Sequence, residues 1–204
     1  MMTGVMLLNG QPPKQVELPK DSFVICCDGA YKWAKEQKIA IDLLVGDFDS
    51  LGYVPDDCKT IKYPAEKNET DGEIALTLFK DKGCNKVFVY GAFGKRTDHF
   101  LGNLALLGMG KEQGIDVVLV GDEEKISLGS GFVKFIPQKK GTISLVPYGD
   151  SVHIINSKGL EYPLDDLVLK RCDTRGISNL SFADEVEFFV KEGQVLILES
   201  WRAE

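Results

Sequence analysis

The chain has 204 residues, 44% of them hydrophobic and 27% charged, with a formal net charge of −7 at pH 7. That length allows one large folded domain or two small ones. The acidic balance argues against a general nucleic-acid binder, which carries a basic footprint, although a bound metal can invert the local field and admit an anionic substrate.

Five cysteines (Cys26, Cys27, Cys58, Cys84 and Cys172), no CxxC pair and only two histidines argue against a zinc site. Reduced thiols fit a cytoplasmic protein. The first residues, MMTGVMLLNG, lack a basic start and a long apolar stretch, so no signal peptide is predicted. No apolar run approaches the roughly 20 residues needed to cross a bilayer.

The first ~125 residues alternate apolar runs with helical stretches. SFVICCDG (22–29) reads as a strand ending in a turn, and AYKWAKEQK (30–38) as a helix with Trp33 and Ala34 inward. DLLVGDFDS (42–50) and KTIKYP (59–64) read as two further strands. ETDGEIALTLFKDKG (69–83) predicts a helix with Ile74, Leu76, Leu78 and Phe79 on its apolar side, a Thr70–Glu73 capping box and a terminal Gly83. KVFVYGAFG (86–94) is a fourth strand, DHFLGNLALLGMGKEQG (98–114) a helix with Thr97 as its cap, and DVVLVGD (116–122) a fifth strand. Such runs separated by helices predict a mostly parallel sheet flanked by helices.

After residue ~125 the helical pattern stops. GFVKFI (131–136), GTISLVPYG (141–149), SVHIIN (151–156) and LVLKRC (167–172) are short, β-rich and bounded by turns. EVEFFVKEGQVLILES (185–200) reads as a hairpin turning at Lys191–Gln194. This half predicts an antiparallel sandwich or barrel, joined to the first within GDEEKISLGSG (121–131). The expected division is therefore 1–125 and 126–204.

In a parallel α/β sheet, ligands bind beyond the carboxyl ends of the strands. Those ends are acidic here: Asp28, then Asp47 and Asp49, then Asp71 at a helix start, then Asp98. Asp28 alone reads equally well as a cap, Asp71 as a partner of the helix dipole, and Asp49 as turn chemistry. Asp47 and Asp49 together repel unless a cation accommodates them, and a hard, oxygen-ligated ion such as Mg²⁺ does so. Mg²⁺ usually shares its remaining positions with water and phosphate oxygens, and GAFGKRTDH (91–99) offers glycines, Lys95 and Arg96 for an anion. His99 is placed either to bind a ligand or to orient Asp98. His153 reads as structural. KGLEYPL (158–164) and RGISN (175–179) read as turns on composition alone.

In this order, CDGA (27–30), VGDFDS (45–50), KNETDGEIAL (67–76), GAFGKRTDHFLGNL (91–104), KGLEYPL and RGISN resemble the thiamin pyrophosphokinase family over nearly the whole chain. The resemblance implies an enzyme that moves a pyrophosphoryl group from ATP to the hydroxyethyl group of thiamin, giving thiamin diphosphate and AMP. It implies an α/β domain, a C-terminal β-sandwich, and a homodimer with sites between subunits. It marks Asp47, Asp49 and Asp71 as the Mg²⁺ and phosphate site, with Asp28 close by; on chemical grounds Asp71 and Asp49 are the candidate acceptors of the hydroxyl proton. It marks Asn68, Thr70, Arg96, Asp98 and His99 as nucleotide or phosphate contacts, Tyr162 as the ring that stacks on thiamin, and Ser178 and Asn179 as thiamin contacts. Two positions depart from the family pattern: Ala30 and Lys95 stand where glycine is common. A rival reading is a Mg²⁺-dependent hydrolase of nucleotides or phosphate esters using the same acidic rim. A second is a sensor that binds nucleotide or thiamin without chemistry.

Overall fold

The apolar runs of the first half pair side by side as parallel strands, because each connection, helical or not, returns the chain to the same end of the sheet before the next strand begins. In this computed structural model, which describes residues 2–138 and 141–201, the chain divides into two compact units, one ending at Asp122 and the other beginning at Glu123. The first unit contains β1 (Met2–Leu7), β2 (Phe23–Cys27), β3 (Leu43–Gly46), β4 (Thr60–Lys62), β5 (Cys84–Tyr90) and β6 (Asp116–Val120). All are parallel, in the order β4-β3-β2-β1-β5-β6. The chain builds outward from β1 to β4, then crosses to the other side of β1 for β5. That reversal is the position where open α/β sheets take ligands.

Helix α1 (Ala30–Glu36) buries Ala30, Tyr31, Trp33 and Ala34 against Val5, Leu7, Val24, Cys26 and Leu44. Helix α2 (Asp71–Asp81) buries Ala75, Leu76 and Phe79, and Phe79 meets Phe23 edge-to-face with ring centroids 6.4 Å apart. Burial of each large side chain contributes about 1.5–3 kcal/mol. The expected capping box is present: Glu73 N–H donates to Thr70 Oγ1 at 3.2 Å, and Thr70 N–H donates to Glu73 Oε2 at 2.7 Å. Helix α3 (Thr97–Gln113) differs from expectation at its start. Thr97 is its first helical residue rather than its cap, and Arg96 holds the cap position in extended conformation.

Strand β1 was not expected from the sequence, although it is central in the sheet and Val5, Met6 and Leu7 are fully buried. A strand buried on both faces has no polar alternation, and a short apolar run with Gly4 and Met6 carries little β propensity.

The second unit is antiparallel throughout. It contains β7 (Glu124–Phe135), β8 (Gly141–Pro147), β9 (Ser151–Lys158), β10 (Leu167–Lys170), β11 (Asn179–Leu180) and β12 (Val186–Trp201). Residues 124–131, expected in the connection, form the first part of β7. The expected hairpin at 185–200 is a single strand. β12 pairs with β7 along most of its length and slips register between Val190 and Val195. Before that slip it also pairs with β9, and after it with β8. The polar KEGQ stretch resembles a turn because an irregularity in a strand uses the same residues. The bend lets one strand serve two layers of a β-sandwich around Ile143, Leu145, Ile154, Phe188, Val190 and Ile197.

Candidate active site

Cys27 pairs with Val45, so Asp28, the first residue after β2, lies beside Gly46, the last residue of β3. Asp28 N–H donates to Val45 O at 2.8 Å. Gly46 has φ of 152°, and a Cβ there would lie 2.8 Å from Asp28 Cβ. Only glycine allows this close pass. Phe48 has φ of 64°, unusual for an aromatic residue, and is 3% exposed within the apolar cluster that includes Trp33 and Leu51. Its burial anchors the loop, while its neighbours Asp47 and Asp49 stay at the rim. Asp49 N–H donates to Asp47 Oδ1 at 3.0 Å, Ser50 Oγ donates to Asp49 Oδ1 at 3.2 Å, and Lys32 Nζ holds Ser50 O at 3.0 Å.

Among the described residues, Asp28, Asp47 and Asp49 form a group whose nearest carboxylate oxygens all lie within 4.8 Å of one another. Asp28 is 8% exposed, and its Oδ1 is buried with no hydrogen-bond partner. Burial pushes its carboxyl above the ordinary range; Ser50 opposes this, and the charges of Asp47, Asp71 and Asp49 add to it. Asp47 is held below the ordinary range, chiefly by the Asp49 amide. A buried acceptor left unmet costs about 1–3 kcal/mol. A cation with hard, oxygen-seeking chemistry fits these donors: it would satisfy the orphaned oxygen and relieve the mutual repulsion.

Asp71 belongs to the neighbourhood but not to that tight group. Its Oδ1 lies 2.8 Å from Lys67 Nζ, an ion pair not aligned as a hydrogen bond. Beneath it, Cys27 Sγ points at Asp71 O across 3.6 Å. Thr70 spends its hydroxyl on the helix cap, and Asn68 is exposed.

The loop after β5 is organised differently. Gly91 has φ of 70°, and a Cβ there would lie 2.1 Å from Leu8 O. Its freedom thus serves the contact with the end of β1, where Gly10 N–H donates to Gly91 O and Gln11 N–H to Phe93 O. Arg96 and Asp98 engage each other: Nε donates to Oδ1 at 3.1 Å and Nη2 to Oδ2 at 2.5 Å. Arg96 holds the Asp98 carboxyl down to about 2, helped by the His99 amide. His99 N–H donates to Asp98 Oδ1 at 2.9 Å, so this backbone contact links the two; the His99 side chain is exposed.

In the second unit, Tyr162 is 60% exposed. Asn179 is buried, and its side-chain amide clamps the Tyr162 backbone: Oδ1 accepts from Tyr162 N–H at 3.0 Å, and Nδ2 donates to Tyr162 O at 2.7 Å. Asn179 therefore acts on Tyr162 through the backbone. Ser178 is exposed with φ of 61°, and its N–H donates to Ser144 Oγ at 3.0 Å. His153 meets Asp166 at 2.7 Å.

Two residues at the first unit's rim were not singled out from sequence. Asn9 lies two residues beyond the unforeseen β1, and Lys95 Nζ donates to its O at 3.2 Å and to its Oδ1 at 3.3 Å. Lys67 precedes Asp71 by four residues; that spacing was the available signal, but Lys67 lies before the helix begins.

A parallel sheet with acidic strand mouths, followed by an antiparallel β unit, places the chain in the two-part α/β class of folds. Residues 15–119 match the family described as "Thiamin pyrophosphokinase, catalytic domain", and residues 133–195 that described as "Thiamin pyrophosphokinase, vitamin B1 binding domain". A thiamine pyrophosphokinase of Bacillus subtilis (strain 168) is 28% identical over 165 residues, covering 76% of each chain. The crystal structure of thiamine pyrophosphokinase from Bacillus subtilis superposes with a TM-score of 0.86 at 22% identity, covering 100% of both chains. That from Geobacillus thermodenitrificans does so with a TM-score of 0.84 at 23% identity, covering 100% of this chain and 99% of that one. The chain belongs to the thiamin pyrophosphokinase family, enzymes that form thiamin diphosphate by pyrophosphoryl transfer. Lys95, where the resemblance leads to an expectation of glycine, has φ of 54°, a left-handed backbone conformation that favours glycine.

Proposed function

We propose that this chain transfers the pyrophosphoryl group of ATP to the hydroxyethyl oxygen of thiamin, releasing AMP, with Mg²⁺ held at Asp28, Asp47 and Asp49 beside Asp71. The observation that carries the reading is the orphaned, buried Asp28 Oδ1 within a tight group of carboxylates at the sheet's ligand-binding rim. When bound, the ion would neutralise charge on the phosphate oxygens.

The thiamin oxygen attacks the β-phosphorus in line, the bond from that phosphorus to the α-phosphate oxygen breaks, and AMP leaves. The hydroxyl proton passes to a rim carboxylate. Positioning and fixed charge supply most of the acceleration in such transfers. Arg96, Asp98 and His99, with Asn68 and Thr70 from the start of α2, are assigned to the nucleotide. Engagement of ATP would require Arg96 to exchange its Asp98 partner for phosphate. Tyr162 is assigned to the cationic thiamin ring, where stacking and cation–π attraction contribute roughly 0.5–2 kcal/mol. Ser178 contacts thiamin directly, and Asn179 supports the same function through Tyr162. The first unit, ending at Asp122, is assigned the catalytic role, and the second, beginning at Glu123, thiamin binding.

Exposed Phe132, Ile136 and Phe182 on the second unit support a homodimer, which light scattering in solution tests. Five free thiols support work in the cytoplasm, and among the described residues no helix is long and apolar enough to cross a membrane. The deciding experiment for the reaction mixes ATP, Mg²⁺ and thiamin and identifies the products. AMP formed only with thiamin present supports transfer; AMP or ADP formed without it favours hydrolysis.

A further inference from the structure

Lys67 is a side chain of the acidic rim with no place in the reading above. Its side chain is only 13% exposed, and its ammonium lies 2.8 Å from Asp71 Oδ1. Burial works against the charge, yet the Asp71 contact and the charges of Asp71, Asp47 and Asp28 outweigh it and raise the pKa above the ordinary lysine value. The same Lys67 charge helps to lower Asp47. One ammonium thus stands among the carboxylates of Asp71, Asp47 and Asp28, too little to balance them and on a stem long enough to move. Asp28 Oδ1 remains unmet even with Lys67 in place.

We propose that Lys67 is the resident counter-ion of this rim: a divalent cation entering at Asp28, Asp47 and Asp49 displaces its ammonium, which then meets the phosphate anion that the metal brings. This rests on the metal reading given above. A simple strut and a displaceable counter-ion make opposite predictions. Removing a strut loosens the carboxylates and weakens metal binding. Removing a competing cation leaves more negative charge for the metal and strengthens it.

The test is calorimetric titration of Mn²⁺ into the intact protein at low ionic strength, without nucleotide, for wild type, Lys67→Gln and Lys67→Arg. Lys67→Gln is expected to bind Mn²⁺ about fivefold more tightly, and Lys67→Arg to stay within about twofold of wild type. With Mn²⁺ saturating, Lys67→Gln is expected to bind inorganic pyrophosphate about tenfold more weakly, because the anion loses its ammonium. Unchanged or weaker Mn²⁺ binding in Lys67→Gln overturns the competition, and unchanged pyrophosphate binding overturns the hand-over. Absence of saturable Mn²⁺ binding in wild type sinks the metal reading itself, and the inference with it.

Should Lys67→Gln fail to fold, the wild-type Lys67 side-chain ¹³Cε resonance decides during a Mg²⁺ titration. A shift that tracks saturation supports displacement; a static resonance overturns it.

Discussion

The loops after β3 and after β5 both leave the carboxyl edge of one parallel sheet, yet they hold their charges in opposite ways. The loop after β3 is pinned from below by Phe48 and passes Asp28 at Gly46, so its carboxylates are forced near others from distant sequence. The loop after β5 is tied to β1 by its backbone, while Arg96 and Asp98 are exposed and satisfy each other two residues apart. Charges set against each other by a fold need an outside partner, whereas charges that already have one are free to exchange it. That contrast supports the proposal of a fixed ion at the first loop and an incoming substrate at the second.

Breaking the first loop should have the largest effect. Asp49→Asn is expected to keep the fold and lower turnover by about two orders of magnitude or more at saturating Mg²⁺. Near wild-type turnover would remove Asp49 from the metal set. Gly46→Ala tests the architecture beneath it: the added Cβ meets Asp28, and the backbone there disfavours any side chain. A destabilisation of about 1–3 kcal/mol is expected by denaturant unfolding, with Mn²⁺ affinity falling alongside. A fully stable Gly46→Ala protein would show that the close pass is not tight.

The second unit offers an intermediate test. Tyr162→Ala should raise the KM for thiamin far more than that for ATP. Asn179→Ala should do the same in smaller measure while costing about 1–3 kcal/mol of stability, since it leaves the Tyr162 backbone amide and carbonyl without their partner. Equal effects on both substrates would contradict the stacking role.

The smallest effect is expected at the second loop. Because the folded carboxyl of Asp98 lies below its unfolded value, any stability it adds is present above about pH 4 and disappears as pH falls toward about 2. Asp98→Asn should therefore leave the thermal midpoint at pH 7 essentially unchanged, because the pair is exposed and screened. Arg96→Gln should return the Asp98 carboxyl toward ordinary values in an NMR titration. An unmoved titration would mean that Arg96 does not hold it.

Much of the first loop was legible in the chain itself. An apolar run ending in Asp47 and Asp49 marks a strand mouth, and pairing of β2 with β3 brings Asp28 beside it. The membership of the tight group was not legible: Asp71 looks equivalent in sequence, but the helix start delivers it to Lys67. β1 was hidden because total burial erases alternation, and Asn9 was hidden with it. The role of Asn179 escaped because a side-chain amide that imitates a strand's hydrogen bonding leaves no spacing pattern. The long β12 was mistaken for a hairpin because its irregularity uses turn residues.

The most direct measurement is anomalous diffraction from crystals of the protein grown with Mn²⁺ and a non-transferable ATP analogue. The account predicts a peak bounded by oxygens of Asp28, Asp47 and Asp49 at about 2.0–2.3 Å, with Lys67 turned away from Asp71 toward phosphate. A well-ordered nucleotide whose metal lies elsewhere, with those three carboxylates unligated, would contradict it.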